Sequence, residues 1–160
     1  MPCLFIEVGS TSDTWGHQGA AKLLGTLIHQ GLGLDGSTGI GSWNESKNRG
    51  EPVLITLGGG HYAPRGNMTA STEGIWLGHM LATYALPFGE PPQIGEVAEG
   101  LWRQSIDAAF GSTQKAFPGG NIVFSMDKKA FKGWQRQAIR DHLEALGAPL
   151  LKRQGVLDLI

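Results

Sequence analysis

The chain has 160 residues, 41% of them hydrophobic, with 13 Lys or Arg, 14 Asp or Glu and one cysteine. This length suits one domain around one core; the apolar runs fall far short of the ~20 residues a membrane helix needs, and residues 1–8 are too short for a signal peptide, so a cytoplasmic protein is expected. Cys3 cannot form an internal disulfide, no Cys-x-x-Cys pair suggests a structural zinc site, and a net charge of −1 argues against indiscriminate nucleic-acid binding.

Residues 4–8, bounded by Pro2 and by Gly9-Ser10, read as a first strand in which Glu7 stands out. The cluster at 10–13 supplies capping side chains for a helix with Ala20, Leu23, Leu24, Leu27, Ile28 and Gly31 on its packed face. Six glycines in residues 31–50 leave no regular element and predict a mobile loop. Pro52 and the run 53–57 give a second strand, apolar without alternation, as in a strand covered on both faces.

Residues 73–85 fit a helix with Ile75, Trp76, His79, Met80 and Ala82 near one side, weakened by Gly74 and Gly78. Ile94, Val97, Ala98, Leu101, Trp102 and Ser105 form a further helical stripe ending at Gly111. Residues 121–125 form a third core strand. Phe131, Trp134, Ala138, Leu143 and Leu146 mark a last helix closed by Gly147, and Leu150-Leu151 adds an edge strand. Strands separated by helical crossovers imply a largely parallel sheet between helices, with ligands at the carboxyl ends of the strands.

The residues best suited to chemistry follow the second strand, in GGGHYAPR at 58–65. Gly58, Gly59 and Gly60 allow positive φ and a close approach to backbone N–H groups, which suits an oxyanion or phosphate. His61 exchanges a proton near neutral pH, Tyr62 is a phenol, Pro64 stiffens the loop and Arg65 offers a fork for phosphate or carboxylate. His79 follows a glycine, with Tyr84 five residues on, and is placed to meet His61 above the sheet. Glu7 is costly inside a sheet unless it pairs with a cation or binds a metal. Together His61, His79 and Glu7 have the ligand types of a catalytic zinc site, without any local spacing signature. His17, His29 and His142 read as structural.

Charge is unevenly spread. Residues 1–114 hold five Lys or Arg against ten acids, and residues 115–153 hold eight against three. Within the basic segment, Lys132, Arg136 and Arg140 recur every four residues, either as a track for a phosphate backbone or as a solvated helix face.

Four segments, LFIEVGSTSDTW from Leu4, LGGGHYAPR from Leu57, LGHMLATYALP from Leu77 and FKGWQRQ from Phe131, resemble in order the D-aminoacyl-tRNA deacylases of archaeal and plant type. The resemblance covers nearly the whole chain but only the second half of family members, and GGGHYAPR is its most specific part. The Asp-Trp-Lys-Gly pattern before the last helix is present only loosely, as Asp127 and then Lys132-Gly133. The resemblance implies a three-layer α/β/α fold with a mostly parallel sheet, similar to peptidyl-tRNA hydrolase and nucleoside phosphorylase domains, here as a single domain over 1–160. It implies zinc dependence and hydrolysis of the ester between a D-amino acid and tRNA.

In the reaction so implied, His61, alone or through a metal-bound water and with His79 nearby, activates water. Gly59 and Gly60 hold the oxyanion, and Arg65 holds the terminal phosphate. Glu7 receives the substrate's ammonium group, while Gly58, Tyr62 and Tyr84 line the substrate site and Lys132, Arg136 and Arg140 contact tRNA. The alternatives are a non-catalytic tRNA- or nucleotide-binding module and a phosphorylase-like enzyme that uses the same glycines for free phosphate.

Overall fold

Strand β1, Pro52–Leu57, is buried along its whole length and sits at the centre of the fold. In this computed structural model the described residues are 8, 9, 11–37, 39 and 41–160. Around β1 a parallel sheet is built in the order β2-β1-β3-β4, with β2 Trp76–Leu81, β3 Asn121–Met126 and β4 Leu150–Leu151. Neighbouring side chains of β1 leave on opposite faces, and both faces are apolar. Ile55 and Leu57 pack with Phe124 of β3 against Trp102 and Ile106 of α4, Trp102–Ala116, and Ile139 and Leu143 of α5, Gly133–Ala145. Leu54 and Val123 pack on the other face against Val156 of α6, Arg153–Leu157, and Ala70 of α3, Pro64–Ala70. The result is the expected α/β/α arrangement. Each fully buried aliphatic side chain in these clusters contributes about 1.5–3 kcal/mol relative to its exposed state.

The chain divides into two compact units, Met1–Trp43 and Asn44–Ile160. In the first, α1 spans Gln18–Gly31 as expected, but Leu23, Leu27 and Ile28 are exposed. Its N-terminus is capped by His17, whose Nδ1 accepts from the Ala20 N–H at 3.1 Å, which bears out a structural role for this histidine. The Ser-Thr-Ser-Asp cluster instead makes a 3-10 turn, Ser12–Thr14. The strand expected at 4–8, with Glu7, lies outside the described residues.

Several other expectations are corrected. The glycine-rich segment 31–50 does hold a regular element, the short helix α2, Glu45–Asn48, because the Asn44 side chain accepts from the N–H groups of Ser46 and Lys47. The helix expected over 73–85 is strand β2 followed by a 3-10 turn, Thr83–Ala85. Its pairing to β1 jumps from Leu54↔Leu77 to Ile55↔His79, which leaves Gly78 as the extra residue of a bulge. Tertiary pairing thus overrides an apolar spacing that suggested a helix.

The helix expected to begin near Ile94 starts at Trp102, and Gly111 lies inside it, with the cap at Phe117. Ile94, Val97 and Leu101 are exposed. The preceding chain is held as a loop by Gly100, at φ +120°, and by the Phe88–Gly100 bridge. No helix among the described residues is long and apolar enough to cross a membrane.

Candidate functional site

The glycine segment turns the chain sharply where β1 ends. Gly58 and Gly59 have φ of +92° and +94°, a region that side chains disfavour. The Gly58 N–H donates to the Leu81 carbonyl at 2.7 Å, and the Gly59 carbonyl accepts from both the N–H and the hydroxyl of Thr83, at 3.0 and 2.9 Å. The loop is therefore tied to the end of β2. A Cβ on Gly58 would lie 2.5 Å from the Phe131 ring, so the glycine motif and the FKG segment meet at this point.

Beyond the tie, the Ala63 N–H donates to the Gly60 carbonyl at 3.0 Å and closes a turn that carries His61 and Tyr62 in solvent. Their rings meet edge to face, 5.2 Å between centroids. Ala63 takes a left-handed conformation, φ +34°, and is buried, which sets the chain direction for Pro64 to begin α3. Among the described residues no acceptor takes the Gly59 or Gly60 N–H. Those two amides, Thr83, Tyr84, Arg65 and Lys129 border an open hollow at the carboxyl ends of β1 and β2.

Arg65, in the first turn of α3, forms an ion pair with Asp127 just past the end of β3. Asp127 is fixed in turn: its N–H donates to the Leu57 carbonyl at 2.9 Å and its carboxylate accepts from the Lys129 N–H at 3.1 Å. Arg65 thus already holds one anion, and only its remaining N–H groups are left for a ligand. The sequence reading did not place Asp127 or Thr83 in the site. The signal available for Asp127 was its position immediately after a core parallel strand, where ligands of such sheets bind.

His79 is placed differently from expectation. Its Nδ1 lies 3.0 Å from the Thr113 hydroxyl and its Nε2 3.4 Å from the Ser112 hydroxyl, both on α4. The Thr113 and Ser112 hydroxyls also donate to the Ala109 carbonyl, at 2.7 and 3.2 Å. Burial pushes the His79 pKa below its ordinary value and favours the neutral ring. Gly78 admits α4 here rather than a ligand, since a Cβ on it would lie 2.7 Å from Thr113.

The zinc set fares accordingly. Both nitrogens of His79 are engaged, Glu7 lies outside the described residues, and among the described residues no three His, Cys, Asp or Glu cluster as ligands. The donors on view do not fit a zinc held through His79.

The basic stripe is also divided. Lys132 is the N-cap of α5. Arg136 turns inward and donates to the carbonyls of Lys128 and Phe131, at 3.1 and 2.7 Å. Arg140 is exposed and borders a second cavity. The remaining histidine of the core face, His142, contacts Asp107 at 2.7 Å and lies edge-on to Trp102, consistent with a structural role.

The profile of the D-aminoacyl-tRNA deacylase family matches residues 1–151. A D-aminoacyl-tRNA deacylase of Arabidopsis thaliana is 46% identical over 147 residues, 89% of this chain and 46% of the relative. Those of Pyrococcus abyssi and Pyrococcus horikoshii are 24% and 27% identical, over 95% of this chain and 46% of each relative. The chain spans about half the length of the curated relatives it matches.

Proposed function

The chain belongs to the D-aminoacyl-tRNA deacylase family, and from that premise we propose that it hydrolyses the ester joining a D-amino acid to tRNA at the hollow beside Gly59 and Gly60. The observation that carries the reading is the pair of glycine N–H groups without acceptors among the described residues, next to a solvent-facing histidine. The ester carbonyl sits against these amides. His61 takes a proton from water as the water oxygen attacks the carbonyl carbon, and the amides hold the charge that develops on the oxyanion. Collapse of the tetrahedral intermediate breaks the bond to the ribose oxygen, which receives the proton from His61. The products are the free amino acid and a tRNA with its terminal hydroxyl restored. Zinc is not part of this proposal, because His79 is held by α4.

The test is to incubate the purified chain with D-aminoacyl-tRNA, its L counterpart and nucleoside plus phosphate. Faster release of the D-amino acid, reduced ~10²–10⁴-fold in His61→Ala with an unchanged Tm, supports the reading. Binding of tRNA without hydrolysis would instead make the chain a non-catalytic module. Phosphorolysis would favour the phosphorylase-like alternative.

A further inference from the structure

On the α3 and α6 face of the sheet, the apolar core stops one row short of the strand ends. Leu54 and Val123 are in the core, but the next side chains on that face are Thr56 and Ser125, direct register partners on β1 and β3. Beyond them opens a cavity of about 650 Å³. Thr56 is 5% exposed and, among the described residues, its hydroxyl has no partner, although a buried hydroxyl is ordinarily bonded. Gly66 of α3 keeps this corner open, since a Cβ there would lie 3.0 Å from the Thr56 oxygen and 2.9 Å from Met80.

The rim of the cavity is cationic. Arg65, Lys128, Arg140, Lys152 and Arg153 border it, with Asp127 as the single carboxylate among the described residues, and that carboxylate is taken by Arg65. Among the described residues Lys128, Arg140, Lys152 and Arg153 have no carboxylate partner. The walls include Met68 and Leu151. A hydroxyl floor, apolar walls and a basic rim match a ligand with a flat apolar part and a phosphate.

We infer that this cavity binds the 5′-phosphorylated terminal adenosine of the tRNA substrate, an inference that rests on the deacylase reading above. Arg65 and Asp127 border both this cavity and the hollow beside Gly59. The two spaces therefore share one wall, and a nucleoside on one side presents its ribose ester toward the other. The phosphate lies with Arg140, Lys152 and Arg153.

The test is calorimetric titration of the full chain with AMP, adenosine and inorganic phosphate, repeated with Arg140→Gln and Arg153→Gln. AMP is expected to bind at least tenfold more tightly than adenosine, and each substitution to weaken AMP at least fivefold. Deacylated tRNA ending in adenosine should displace AMP. Equal binding of adenosine and AMP, AMP affinity unaltered in both variants, or AMP that tRNA does not displace would overturn the assignment. AMP binding that follows these expectations in a chain that hydrolyses no ester would leave this site standing and remove the proposed reaction.

Discussion

Gly58 and Gly60 stand two residues apart in one motif, yet the chain uses them for different reasons. Gly58 needs both its positive φ and the absence of a Cβ against Phe131, whereas Gly60 has no positive φ and nothing within 4 Å of an added Cβ. Gly58→Ala is expected to lower the unfolding free energy by about 2–4 kcal/mol. Gly60→Ala should change it by no more than about 0.5 kcal/mol. Denaturant titration distinguishes the two, and a rate change in Gly60→Ala then reports on chemistry rather than folding.

His79 allows a prediction of a different kind. Its pKa is depressed by burial from an ordinary 6.5, so the unfolded chain binds its proton more readily than the native one. Stability from this group is therefore complete above pH ~6.5 and is lost as pH falls through the depressed native value. Stability measured from pH 8 to pH 5 should decline below that point, and the decline should be shallower in His79→Gln.

Between elements, the link from β3 to α5 depends on Arg136, which bridges the Lys128 and Phe131 carbonyls ahead of the helix. These bonds hold the stretch in which Phe131 is buried against Gly58. Arg136→Ala should cost about 2 kcal/mol of stability, as expected for charged hydrogen bonds to backbone. Arg140→Ala, with one bond to exposed Gln137, should cost no more than about 0.5 kcal/mol. Comparable losses in the two variants would show that Arg136 does not brace the loop. A helical spacing of four suggested one row of free cations; folding turned the middle one inward because the carbonyls of the preceding loop fall within its reach.

Across the whole molecule, four of the eight basic residues of 115–153, Lys128, Arg140, Lys152 and Arg153, border one cavity at the carboxyl ends of β3 and β4. A protein with a net charge of −1 thus presents a local cationic face. Each phosphate contact releases counterions, so tRNA affinity should fall with salt, and Arg140→Ala should flatten the log–log slope by about 0.7–0.9. An unchanged slope in filter binding or fluorescence titration would remove Arg140 from the tRNA path.

The sequence by itself determined the layered architecture and singled out the segment that forms the candidate site. A β-branched run without polar alternation at 53–57 is stable only between two apolar layers, and the glycines after it permit a sharp turn at the carboxyl edge of the sheet. The strands at 121–125 and 150–151 and the last helix were legible for the same reason: their local patterns agree with their final surroundings. Tertiary structure alone decided the nature of residues 76–81, whose spacing suits a helix but whose backbone groups are satisfied by β1. It also decided the partners of His79, Arg65 and Arg136. Each is a long polar or ionisable side chain on a regular element, and its role depends on which hydroxyl, carboxylate or carbonyl packing brings within about 3 Å, a distance that no spacing along one chain encodes.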